Sequence, residues 1–220
     1  MADIVVFGAG DIAELAHFYF THDSDHRVVA FSVDAAYLNQ ESFCGLPVVA
    51  FEELPARFPA ARHDGFVALS YAKLNQVRAD KCAAMKAAGY RLCSYVSSRA
   101  TTFPDFQSGE NCFILEGNTI QPRVRIGNNV TMWSANLIGH HSTIEDNVFI
   151  SSHVVIAGGA TIGDGCFIGI NSTIRDHIKL GQRCVIGAGS LIVGDTEDES
   201  VYTAPAAEKS TVPSRRLRRI

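Results

Sequence analysis

The chain has 220 residues, 47% of them hydrophobic and 19% charged, the balance of an ordinary globular protein with room for one large domain or two small ones. A net charge of −4 and a pI near 6.0 exclude the broad basic field that nucleic-acid binding requires. No apolar run approaches the ~20 residues of a membrane span, so no membrane partner is expected.

The first residues, Met-Ala-Asp-Ile-Val-Val-Phe-Gly, carry no positive leader region or cleavage signal, and a cytoplasmic location is expected. Ile4–Phe7 reads as a short strand that stops at Gly8-Ala9-Gly10. Residues 11–21 space Ile12, Leu15, Ala16, Phe18 and Tyr19 as a helix does. Arg27–Val33 is a second strand ending at Asp34, Pro47–Phe51 a third, Glu52–Phe58 a short helix and Gly65–Ser70 a fourth strand. Lys73–Ala88 is a helix closed by Gly89 in the position of a C-cap glycine. Arg91–Val96 is a fifth strand. Strand and helix in alternation predict a small parallel α/β sheet over residues 1–97.

The period then changes. From Ile114 to Ile192 every sixth residue is aliphatic, through Ile120, Ile126, Met132, Ile138, Ile144, Ile150, Ile156, Ile162, Ile168, Ile174, Leu180 and Ile186, 14 consecutive positions. Glycine often follows, as at Gly127, Gly139, Gly163, Gly169, Gly181 and Gly187, where a corner needs positive φ or close backbone approach. Each hexapeptide supplies one short strand and one turn, and three close a triangular coil. The expected domain over residues 98–194 is a left-handed parallel β-helix. Residues 195–220 form a C-terminal extension. Its segment Val201–Ala206, with Pro205, is expected to leave the helix and lie along its side, and Arg215, Arg216, Arg218 and Arg219 read as a solvated tail.

Six cysteines show neither a C-x-x-C pair nor a zinc spacing, and no metal is expected. They read as buried small hydrophobes. Cys166 and Cys184 differ by 18 and should stack in adjacent coils without a bond.

Two places suit chemistry. His140 and His141 follow Gly139 at a corner, where an outward imidazole on a rigid wall can serve as general base. His153 completes the local histidine cluster and is a candidate for the acceptor pocket. The second place is Gly8-Ala9-Gly10-Asp11-Ile12-Ala13, a G-x-G-x-x-A turn between strand and helix, with Asp34 able to accept hydrogen bonds from a ribose or base. The length of this half suits a single nucleotide or nucleotide-sugar better than a dinucleotide.

These features together resemble the bacterial nucleotide-aminosugar N-acetyltransferases and the related sialic-acid O-acetyltransferases. The resemblance rests on the turn at 8–13, Asp34, the repeat, Gly139-His140, Gly158-Gly159, residues 167–172 and Ala204-Pro205-Ala206, and it covers nearly the whole chain. It implies a Rossmann-like N-terminal domain holding the nucleotide-sugar near Gly8, Gly10, Asp11 and Asp34. It implies a homotrimer with acetyl-CoA in the groove between subunits, along Gly158, Ile170, Gly187 and Ala188. The family's catalytic histidine aligns with His140. The acidic residue that commonly follows it is here His141, so the resemblance leaves Asp146 or a residue of another subunit to orient His140. The implied activity is acetyl transfer from acetyl-CoA to the amine of a nucleotide-linked 4-amino-deoxy sugar, in surface polysaccharide or glycan precursor synthesis. The alternative is O-acetylation of a sugar hydroxyl.

Overall fold

A computed structural model describes residues 2–216. The N-terminal half is a five-stranded sheet in the order β3-β4-β2-β1-β5. Its strands are β1 (Asp3–Phe7), β2 (Arg27–Val33), β3 (Ser42–Phe43), β4 (Leu46–Ala50) and β5 (His63–Val67). All neighbours are parallel except β3 and β4, a small hairpin with no counterpart in the expected elements. Helix α1 (Asp11–His22) packs on one face with Ala13, Ala16 and Phe20 buried. Helices α2 (Leu54–Arg57) and α3 (Gln76–Ala87) cover the other, around Val5, Ala30, Leu54, Val67 and Met85.

Helix α3 starts three residues later than its apolar spacing suggests. Lys73, Leu74 and Asn75 all have positive φ, a left-handed stretch that a right-handed helix cannot include. Its end agrees with the sequence: Gly89 has φ +91°, its N–H donates to Lys86 O, and Tyr90 N–H donates to Met85 O. The expected fifth strand is split. Leu92 bridges Gly65, whereas Tyr95–Val96 pairs with Phe113–Ile114 as the first rung of the next domain.

That next domain is the left-handed β-helix. Two-residue strands stack in parallel at intervals of 18, for example Phe113, Thr131, Phe149, Phe167 and Val185 on one face. Leu137, Val155, Thr173 and Leu191 form the second face, and Arg125, Thr143, Thr161 and Lys179 the third. The aliphatic series points inward, from Ile114 to Ile192, each no more than 6% exposed. Bridges from Thr101 to Thr119 and Ser108 to Ile126 show that the β-helix begins a full coil before Ile114. Thr102 and Ser108 stand where aliphatics would continue the series, so the hexad count misses this coil, and Phe106 packs against the core beside it.

The corner glycines take the second of their two expected roles. A Cβ on Gly139, Gly163, Gly169 or Gly181 would lie 2.4–2.7 Å from backbone of the next coil. Positive φ belongs instead to the third residue after each aliphatic from Ile114 to Ile186, as at Gly117, Asn129, His141, Asn147, His153, Asn171, His177 and Gly189, and Asn111 continues the series one hexad earlier. Asn, His and Gly recur there because they tolerate the left-handed region best.

The first face carries outward aromatics, Tyr95, Phe113, Phe149 and Phe167, and the α/β domain covers it. Phe113 joins Phe20 and Phe66 in one core, and Tyr71 packs on Phe149 and Phe167. Cys166 and Cys184 are free thiols at adjacent rungs, as expected. Val201–Tyr202 adds one more rung beside Val185–Ile186 instead of lying along the side. Arg218 and Arg219 lie outside the described residues.

Candidate active site

The expected site residues fall into three groups. His140, His141 and Gly158 share the corner between the second and third faces. The His140 main chain is held by two bonds, Gln121 Oε1 accepting its N–H at 2.9 Å and its carbonyl accepting Gly159 N–H at 2.8 Å. Its ring is exposed and lies flat against Gly158. A Cβ there would stand 2.7 Å from His140 Cε1 and 2.8 Å from Nε2, so any other residue would force the imidazole out of this position. Nδ1 of His140 lies 3.1 Å from Nδ1 of His141. Gly158 N–H has no hydrogen-bond partner among the described residues. The reason is local. A side chain 19 residues earlier serves His140 N–H (Gln121) and Asp164 N–H (Glu145), but the corresponding residue for Gly158 is Gly139, which has none.

His177 stands on the same corner, its ring against Gly159, where a Cβ would meet Nδ1 at 2.4 Å. The sequence reading missed it, although His141, Gly159 and His177 are each 18 apart. Asp146 does not orient His140 within the chain. It lies on the corner between the third and first faces, where its carboxylate accepts from Asn128 N–H at 2.7 Å and from the Asn128 amide.

The second group is Ile170, Gly187, Ala188 and His153, all on the corner between the first and second faces. Ile170 is 46% exposed, and Ala188 and His153 are exposed. His153 is therefore not beside His140: the two corners flank opposite edges of the second face. That face presents Leu137, Val155 and Leu191, at 36%, 37% and 66% exposure.

The third group surrounds the carboxyl ends of β1 and β2, the edge at which open α/β sheets hold ligands. Gly8 has φ +125°, and a Cβ there would meet Ala68 O at 2.7 Å, so this glycine serves the turn itself. A Cβ on Gly10 meets nothing within 4 Å, which leaves space before the first turn of α1. Asp11 and Glu14 in that turn disfavour a phosphate directly on the helix terminus and suit sugar or base donors. Asp34 is not free. Lys81 Nζ contacts its Oδ1 at 2.5 Å and lies 4.5 and 4.6 Å from the ring centroids of Phe7 and Phe51. Lys81 gave no sequence signal, because an exposed-looking helix lysine is indistinguishable from any other until its sheet partner is known.

Among the described residues there is no group of three or more His, Cys, Asp or Glu that could hold a metal ion, and no helix is long and apolar enough to cross a membrane.

Residues 159–194 match the bacterial transferase hexapeptide (six repeats) family. No curated protein matches the sequence. Among solved structures, a mutant perosamine N-acetyltransferase from Caulobacter crescentus, in complex with CoA and GDP-perosamine, superposes with a TM-score of 0.82 at 20% identity over 91% of this chain and 93% of that one. The acetyltransferase domain of PglB from Neisseria gonorrhoeae, in complex with acetyl coenzyme A, gives 0.76 at 22% identity over 90% and 94%. WeeI from Acinetobacter baumannii gives 0.77 at 17% identity over 91% and 96%. These likenesses establish the two-part fold.

Proposed function

We propose that the protein is an acetyl-CoA-dependent N-acetyltransferase acting on the amine of a nucleotide-linked amino sugar of the 4-amino-deoxy type, in surface polysaccharide or glycan precursor synthesis in the cytoplasm. The observation that carries this reading is the corner at His140: an exposed imidazole seated on a glycine whose own N–H is free. The similar proteins crystallised with CoA and GDP-perosamine, and with acetyl coenzyme A, support the substrate classes.

The chemistry follows from the residues. Nε2 of His140 takes a proton as the sugar amine attacks the thioester carbonyl carbon. The carbonyl oxygen becomes an oxyanion, and Gly158 N–H is a fixed donor beside it. The tetrahedral intermediate collapses, the carbon–sulfur bond breaks, and coenzyme A leaves as its thiol after taking up a proton. Holding both substrates in one crevice contributes by proximity. The nucleotide-sugar lies against Gly8, Gly10, Asp11 and Asp34. Acetyl-CoA lies along Ile170, Gly187 and Ala188 toward Gly158.

Because Ile170, Gly187 and Ala188 occupy the edge of the second face opposite His140 and Gly158, a working site pairs one chain's His140 corner with another's Ile170–Ala188 corner. A homotrimer around the exposed apolar second face satisfies this.

Thiol release from acetyl-CoA, followed with a thiol-reactive dye across UDP-, GDP- and dTDP-linked 4-amino sugars and the free sugars, tests the proposal. Turnover with one nucleotide-linked amine is expected. Release only with hydroxyl acceptors would replace it with the O-acetyltransferase reading.

A further inference from the structure

Two Nδ1 atoms at 3.1 Å bond only when one carries the proton and the other offers its lone pair. The choice decides what His140 can do. If His141 donates, His140 keeps its proton on Nε2, the atom over Gly158, and cannot act as base. If His140 donates, its Nε2 is bare.

We propose that His141 is a positioning residue that accepts the Nδ1–H of His140, replacing the carboxylate that usually orients a basic histidine. The inference rests on the reading of His140 as general base. When His140 takes the substrate proton on Nε2, its ring becomes an imidazolium. The Nδ1–H···Nδ1 bond is then charge-assisted, and it strengthens as the charge forms. The crossed rings, at 84°, and the backbone bond from His141 N–H to Pro122 O hold this arrangement.

The charged groups facing His141 come from its own corner and the first coil. Its ring lines a cavity with Arg123, Arg125 and Asp105, and Arg123 lies 3.7 Å from Asp105. His177 stands one coil further, beyond Gly159. Among the described residues no carboxylate of the same chain pairs with either imidazole, and His141 Nδ1 is the acceptor within reach of His140 Nδ1.

The backbone makes the test clean. His141 has φ +60°, and the equivalent corners carry Asn at 129, 147 and 171 and Gly at 117 and 159. His141→Asn and His141→Gly therefore both suit the turn, but only asparagine offers an acceptor oxygen. His141→Gly should lower kcat about 10- to 100-fold, the range for groups that orient an acting side chain, with both KM values nearly unchanged. His141→Asn should recover most of that loss. Wild-type turnover in His141→Gly, or a loss in His141→Gly that His141→Asn does not recover, beside an inactive His140→Ala, would overturn the role of His141 alone. Full activity in His140→Ala would instead remove the base on which it rests.

Discussion

Arg78 donates from Nε to Oδ1 of Asn129 at 2.9 Å, joining helix α3 to the corner of the β-helix 51 residues on. The same guanidinium donates to the carbonyls of Asn129, Asn147 and Ser70 and to Asn75 Oδ1. From Asn129 the amides continue, Nδ2 of Asn129 to Asn147 and Nδ2 of Asn147 to the Asp164 carboxylate, each at 2.8 Å. A buried cation is thus linked to the Asp164 carboxylate through two asparagines. Burial pulls the Arg78 guanidinium down to about 10, which leaves it charged at neutral pH.

Arg78→Met should destabilise the protein by on the order of 3 kcal/mol, because it strands several buried carbonyls at once. Arg78→Lys should recover little, since a point charge cannot span the fork. Denaturant unfolding of the two variants measures this. A loss below about 1 kcal/mol for methionine would mean that water replaces the guanidinium.

His140→Ala should lower turnover by roughly 10²–10⁴-fold, the span for losing a general base. Gly158→Ala should approach the same loss without removing any catalytic group, since its Cβ would occupy the space of the imidazole. Thermal midpoints near wild type would place both effects in the site. Normal turnover in Gly158→Ala would show that the ring works from another rotamer.

Asp34→Ala should raise the KM for the nucleotide-sugar, with little change in kcat or in the KM for acetyl-CoA, because it removes ground-state binding. Lys81→Met should raise the same KM by less, because Lys81 holds the Asp34 carboxylate in place. Initial-rate kinetics over both substrates separate these outcomes. An altered acetyl-CoA KM would move the donor into the α/β domain.

Asp23, at the end of α1, accepts from Ser98 N–H, Tyr95 Oη–H and Ser97 Oγ–H on the first coil. The bonds from Ser98 and Tyr95 hold its carboxyl down at about 2. A depressed folded value means stability present above the ordinary carboxylate range and lost as pH falls from about 4 toward 2. Asp23→Asn should flatten the fall of the thermal midpoint across that window. An unchanged slope would assign acid sensitivity to other groups.

The sequence determined the β-helix by itself. One inward side chain per hexapeptide is a local property, and 14 repetitions of Ile, Met or Leu leave no other period. The G-x-G-x-x-A turn and the Gly89 cap were legible for the same reason, since each depends on the backbone of adjacent residues. The aromatics at Phe113, Phe149 and Phe167, separated by multiples of 18, also mark one covered face when the count runs in coils instead of hexads. Tertiary structure decided what depends on distant partners. It extended the β-helix to Tyr95 through a coil whose Thr102 and Ser108 are polar, where backbone pairing with Thr119 and Ile126 overrides side-chain pattern. It set Asp34 against Lys81 and Arg78 against Asn129, pairs 47 and 51 residues apart that no local spacing encodes. It also put His140 and Ile170 on different corners, because each turn of a triangular coil faces a new direction however close the residues stand in the chain.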